Sequence, residues 1–197
     1  MGADESLGIF LDSLERLGRL DNAVVIVTAD HGESFERGYL GHAGNLLHDA
    51  LIHIPFIVKL PRQKIGRVVD NVVSQADLSP TVLALALAKA LPHAEGRSLN
   101  AALAGLSLTS EPVFSMTFER ESRFKPIRGG FIAMIEDRFK LVYDIAHDQS
   151  ELYDLIADPH EQRDLASSLP NVAGRLRDQI RFRIAAAESA RQELFPK

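Results

Sequence analysis

Apolar side chains fall on Leu7, Phe10, Leu11, Leu14 and Leu17 with charged residues between them, the three-and-four spacing of one helical face. The pattern predicts a helix over residues 4–17, with Gly18 and the following RLDN as its stop and turn. Residues 23–29, AVVIVTA, change the rhythm to a continuous β-branched run, as in a strand covered on both faces of an α/β sheet. Residues 30–45 then contain Gly32, Gly38, Gly41 and Gly44 and read as a long loop, a kind of segment that is usually functional in a compact domain. LLHDALIHI (46–54) predicts a helical turn, and IPFIVKLP (54–61) a second buried strand closed by Pro61. VVDNVVSQADLSPTVLALALA predicts a strand that runs into a helix, with Asp77 and Ser79 as candidate caps and Pro80 in the first turn. Its most apolar part, residues 81–91, reads as a buried helix; a bilayer span takes roughly 20 residues.

Through PHAEGRSLNAALAGLSLTSEP the pattern weakens, which places a boundary near residue 108. Beyond it PVFSMTFE, GGFIAMIED, RFKLVYDI and SELYDL are short alternating runs separated by turn residues, the signature of an antiparallel sheet of three or four strands. ADPHEQRDLA reads as a solvated polar turn, and residues 171–190 as an amphipathic helix with Val172, Leu176, Ile180, Ile184 and Ala187 on one face. The expected fold class is therefore α/β. Residues 1–108 form part of a parallel-rich sheet with its helices, and 109–197 a small antiparallel α+β subdomain with a closing helix.

Composition narrows the function classes. A net charge of -5 carries no nucleic-acid footprint, and the absence of cysteine excludes disulfides, thiolate metal sites and a cysteine nucleophile in this sequence. The start, MGADESLG, places acids where a signal peptide carries basic and then apolar residues. A soluble chain with no membrane span is expected, and its compartment is undetermined.

The chemistry concentrates in VVIVTADHGESF, residues 24–35. Ligands of open α/β sheets usually bind at the carboxyl ends of strands, where Asp30 and His31 stand. A carboxylate and an imidazole suit a divalent cation: Mg²⁺, Mn²⁺, Ca²⁺ or Zn²⁺. Neighbours on a strand point opposite ways, so both can ligate only where the backbone leaves the strand, a bend that Gly32 would ease. His42, between Gly41 and Gly44, could return over the same site. The alternative is a turn acid beside a surface histidine, and two protein ligands alone fall short of the three or more in known catalytic sites.

The segment DNAVVIVTADHGESF, then GHAGNLLHDALIHIPFIVKLP, QADLSPTVLALA, EGRSL and RFKLVYD…ELYDLIADPHEQRDLA resemble, in order, segments of the C-terminal half of the sulfatase family, within the alkaline-phosphatase-like superfamily. The resemblance covers nearly the whole chain. It implies that Asp30 is a ligand of the divalent metal and His31 the next one, at a position that is Asn in many sulfatases. His42 falls near a Lys or His that contacts sulfate or phosphate oxygens, where a cationic donor is needed as charge develops. Calcium is the expected ion, with Mg²⁺, Mn²⁺ and Zn²⁺ the other candidates. Glu33, Ser34 and His48 are expected to be structural, and His53 to pack beside its strand. The family nucleophile is a formylglycine made from cysteine in Cys-x-Pro-x-Arg, or Ser/Thr in phosphate-handling relatives, and lies in the N-terminal half with two further aspartates. No catalytic residue is thus expected in this chain.

The implied activity is metal-dependent hydrolysis of sulfate esters, with a small anionic ester as substrate and the chain inactive alone. The alternatives are a phosphodiesterase or phosphotransferase of the same superfamily, or a non-catalytic assembly module. Unpaired apolar strand edges would lead the chain to self-associate. The acids of ELYDLIADPHEQRDLA match no EF-hand spacing. Arg120, Arg123, Lys125 and Arg128 of ERESRFKPIRGG belong to a surface loop or line the cleft of a complete enzyme.

Overall fold

A computed structural model describes residues 2–35, 40–42, 47–92, 94–118 and 125–194. It divides into two compact units, Met1–His31 with Ile54–Asp70, and Gly32–His53 with Asn71–Lys197.

The first unit holds helix α1 (Ala3–Arg16) and strands β1 (Val25–Thr28) and β2 (Phe56–Lys59). The helix ends where the sequence predicts: Gly18, at φ 64, donates to Glu15 O at 2.8 Å, and Arg19 N donates to Leu14 O at 2.9 Å. This pair of bonds satisfies the last carbonyls as a left-handed glycine cap. The apolar stripe is only half used, since Leu7, Leu11 and Leu14 are partly buried while Phe10 and Leu17 are exposed. β1 and β2 pair with each other antiparallel, Val25 opposite Lys59 and Thr28 opposite Phe56, in a two-stranded sheet. The β-branched run thus forms a strand, but not one covered on both faces within a parallel sheet; Val24 and Ile57 are exposed. Lys59 closes the unit by donating to the carbonyls of Leu20 (2.8 Å), Ala23 (3.2 Å) and Leu60 (3.1 Å).

The second unit contains α2 (Asp49–Ile52), a 3-10 turn (Gln75–Asp77), α3 (Leu78–Leu85), α4 (Asn100–Leu103), β3 (Val113–Phe118), β4 (Gly130–Glu136), β5 (Phe139–Asp144), β6 (Gln149–Asp154) and α5 (Pro170–Leu194). The expected strand before α3 does not form: residues 63–74 lie outside regular structure and Val68 is exposed. Nor is the 81–91 run a buried helix. α3 stops at Leu85, Leu87 takes a positive φ and is almost fully exposed, and only Thr81 is buried. Asp77 caps differently from the expectation. Its Oδ2 accepts from Ser74 N (2.9 Å) in a capping box around the 3-10 turn, and its Oδ1 accepts from Arg97 N (2.8 Å). Thr81 Oγ1 donates to Asp77 O (2.6 Å) and accepts from Leu99 N (3.0 Å), which explains why the QADLSPT and EGRSL segments belong together.

The four C-terminal strands form the predicted antiparallel meander, in order β3-β4-β5-β6. Met134 pairs with Leu141 and Leu141 with Leu152, one row of fully buried side chains across the sheet. Against it α5 packs Ala173, Leu176 and Ile180, with Val172 and Ile184 at the margins; the predicted stripe holds as far as Ile184, and Ala187 is exposed. Because side chains alternate, the other face carries Ala133, Val142, Tyr153 and the fully buried Lys140, with Leu47 packed over it.

Thr81→Val keeps the volume but leaves the buried Leu99 N–H without an acceptor. A loss of about 1–3 kcal/mol is expected in urea unfolding, and Thr81→Ser, which keeps the hydroxyl, should lose less.

Candidate metal and anion site

β1 ends at Thr28, and Asp30 and His31 follow after the chain has left the strand, so strand alternation no longer separates them. Asp30 Oδ1 accepts the backbone N–H of His31 (3.0 Å), and Asp30 Oδ2 lies 3.7 Å from His31 Nε2. Both side chains are solvent-accessible. Two donors that each bond one divalent cation at about 2.0–2.6 Å can stand some 4 Å apart, so this spacing suits a shared ion. The donor chemistry fits as two ligands of a larger shell. Among the described residues, no group of three or more His, Cys, Asp or Glu converges as a metal cage.

Gly32 has a sharper role than easing a bend. Its N–H donates to Leu51 O at 2.8 Å, and a Cβ built on it would lie 2.2 Å from Ala50 O. Any side chain there would collide with the backbone of α2, so the Gly32 backbone lies directly against that helix. Only glycine permits this approach.

His42 belongs to the second unit, Asp30 and His31 to the first. Ser34 and Gly41 exchange two backbone hydrogen bonds of 3.0 Å each as an isolated antiparallel bridge. That register sets residue 33 opposite residue 42, and His42 Nδ1 lies 2.9 Å from Glu33 Oε2. Glu33, expected to be a structural loop acid, is thus the partner of the candidate anion-binding histidine. A carboxylate at one ring nitrogen fixes the orientation and tautomer of an imidazole. Sequence spacing carried no signal for this pair, because it arises from the bridge. Ser34 is buried, as suits a structural residue.

His53 does not pack beside its strand; its side chain is 81% exposed, 3.8 Å from Asp49. Lys125 and Arg128 are exposed, while Arg120 and Arg123 lie outside the described residues.

The ADPHEQRDLA turn holds the largest departure from expectation. Glu161 is buried in it at φ 52, not solvated. Its Oε1 meets Lys140 Nζ (2.5 Å), and its Oε2 meets His48 Nδ1 (3.1 Å) and accepts from Asp49 N (2.9 Å). Lys140 Nζ also donates to Asp49 Oδ1 (2.8 Å). The sequence held one signal for this: alternation in RFKLVYD sets Lys140 on the same face as Val142, so a lysine is aimed at an apolar layer.

The chain as a whole is similar to known proteins. The family model described as Sulfatase matches residues 1–88. An uncharacterised sulfatase of Escherichia coli (strain K12) is 31% identical over 169 residues, spanning 84% of this chain and 32% of the relative. The solved structure of a Bacteroides fragilis protein described as a candidate sulfatase aligns with a TM-score of 0.82 at 22% identity, covering 100% of this chain and 43% of that one, a likeness of fold. A phosphonate monoester hydrolase from Silicibacter pomeroyi aligns with a TM-score of 0.78 at 27% identity, over 92% of this chain and 38% of its own. The fold is alkaline-phosphatase-like. The chain matches the C-terminal region of a sulfatase family protein, with the family model itself over residues 1–88. It spans about a third of the length of the curated relatives it matches.

Burial alone would raise the Glu161 carboxyl, but the His48 hydrogen bond, the Lys140 charge and hydrogen bond and the Asp49 N–H outweigh it and hold it down at about 2. A carboxyl depressed in the folded state stabilises the fold above its ordinary range, 4.5, and that contribution fades as pH falls towards about 2. Acid titration of folding stability should lose about 3 kcal/mol across that window, and Glu161→Gln should flatten the curve there.

Proposed function

We propose that this chain supplies part of the metal site and an anion-binding histidine of a sulfate ester hydrolase, with the nucleophile coming from outside this sequence. The observation that carries the reading is the Asp30 carboxylate beside the His31 imidazole at the end of β1, with donor atoms 3.7 Å apart. The match to the sulfatase family supports the substrate class.

In this reading Asp30 and His31 hold a divalent cation, with Ca²⁺ expected first, and the cation supplies Lewis-acid polarisation of the ester oxygens. The chain's own residues do the rest. Asp30 also receives the His31 N–H, which ties the two donors into one turn. Gly32, the next residue, approaches the backbone of α2 as only a glycine can. His42, held at Nδ1 by Glu33, donates to the anionic oxygens, where such a donor counts most as negative charge grows. With no cysteine and no activated nucleophile assigned, the chain alone binds without turning over.

A second reading has phosphate or phosphonate esters as substrate. It is favoured by histidine at position 31, where many sulfatases carry Asn, and by the likeness to a phosphonate monoester hydrolase.

Titration calorimetry of the chain with Ca²⁺ should show binding that Asp30→Ala weakens at least tenfold. In the enzyme that contains this chain, aryl sulfate turnover should fall with Asp30→Ala and with His42→Ala. Faster turnover of phosphate than of sulfate esters would select the second reading. Metal-dependent sulfate hydrolysis by the isolated chain, lost in Asp30→Ala, would refute its dependence on an outside nucleophile.

A further inference from the structure

Lys140 has no exposed surface, yet its ammonium ends in the middle of a sheet face. Three segments distant in sequence converge on it: the first turn of α2 through Asp49, strand β5 itself, and the turn after β6 through Glu161. Glu161 then reaches α2 a second time, accepting the Asp49 N–H and meeting His48, the residue before the helix. α2 has four residues and no side-chain cap of its own. A helix that short does not persist unaided, so its position is set by what grips it. From the other side, Leu51 O receives the Gly32 N–H, and Ala50 O sits where a Gly32 side chain would be.

A continuous chain of contacts therefore runs from β5 through Lys140 and Glu161 to Asp49, along one turn of α2, and into the backbone of Gly32, the residue bonded to His31. We propose that Lys140 and Glu161 are positioning residues: by fixing α2 they hold the Gly32 turn, and with it the backbone that presents Asp30 and His31 to a divalent cation. The proposal rests on the metal-binding reading of those two residues. It assigns the C-terminal sheet a part in the chemistry. A purely structural ion cluster would support the sheet and leave the turn indifferent.

The two roles separate by measurement on the full 197-residue chain. Glu161→Gln keeps the shape of the side chain but removes its charge and turns one accepting oxygen into a donor. Lys140→Met combined with Glu161→Gln removes the charges of both without leaving either unpaired against the other. Thr81→Val serves as a control that destabilises elsewhere. Amide hydrogen exchange resolves local opening from global unfolding. In both Glu161→Gln and the double variant, exchange across residues 30–35 and 47–53 should rise about tenfold relative to the control, with the β4 and β5 amides still protected. Calorimetry with Ca²⁺ alone should show affinity weakened about tenfold, as for residues that act behind metal ligands. Exchange at 30–35 equal to that of the control, or wild-type Ca²⁺ affinity in the variants, overturns the positioning role. A wild-type chain that takes up no Ca²⁺ overturns the metal reading beneath it, whatever the exchange pattern.

Discussion

The second unit is organised around a buried positive charge. An ammonium taken out of water costs several kcal/mol unless carboxylates and hydrogen bonds replace its hydration, and Lys140 has no exposure at all. That requirement fixes where two other segments can go. Asp49 must come to one side and Glu161 to the other, although they lie 91 and 21 residues away along the chain. Once Glu161 is there, its second oxygen has to be satisfied too, and the Asp49 N–H and His48 do so. The sheet face that would otherwise be an apolar layer of Ala133, Val142 and Tyr153 is pinned to α2 in one arrangement.

Local pattern made much of the fold legible. The meander over residues 113–154 was readable because each strand alternates and each is bounded by turn residues, and α5 because its stripe repeats at helical spacing. The first helix and its glycine stop were readable for the same reason. Prediction failed where a run of apolar residues had no partner. Residues 68–73 look like a strand in composition but form no ladder, and a strand exists only through its neighbour. The 81–91 run has helical composition, yet only Thr81 of it is fully buried, and that through a hydroxyl with two polar partners. Antiparallel pairing of β1 with β2 was likewise beyond single-strand patterning, which reports burial and not direction.

The candidate site divides in the same way. Asp30 and His31 stood out because a hydrophobic run stops abruptly at two good metal donors, a local signal. The Glu33–His42 pair did not stand out, because it depends on the Ser34–Gly41 bridge. Glu161 was hidden for another reason. In a stretch as polar as ADPHEQRDLA every acid looks solvated, and only the positive φ at Glu161 with the buried lysine opposite shows why this one turns inward. Long-range electrostatics leaves little trace in local composition.

The Asp30–His31 adjacency links these observations. Two neighbouring residues can serve one ligand only if the strand is abandoned before them, since the pleat would send them to opposite faces. Abandoning the strand forfeits ladder hydrogen bonds, and the backbone groups released must find partners elsewhere. Asp30 takes the His31 N–H on its own carboxylate, and the Gly32 N–H goes to Leu51. The second of these bonds is as firm as α2, and α2 is as firm as its grip on Glu161 and Lys140. The backbone beside the candidate ligand pair thus meets a helical turn that is gripped by a strand more than a hundred positions downstream. On this argument the RFKLVYD and DPHE segments matter to the Asp-His-Gly turn because Gly32 takes its hydrogen-bond partner from the helix they hold.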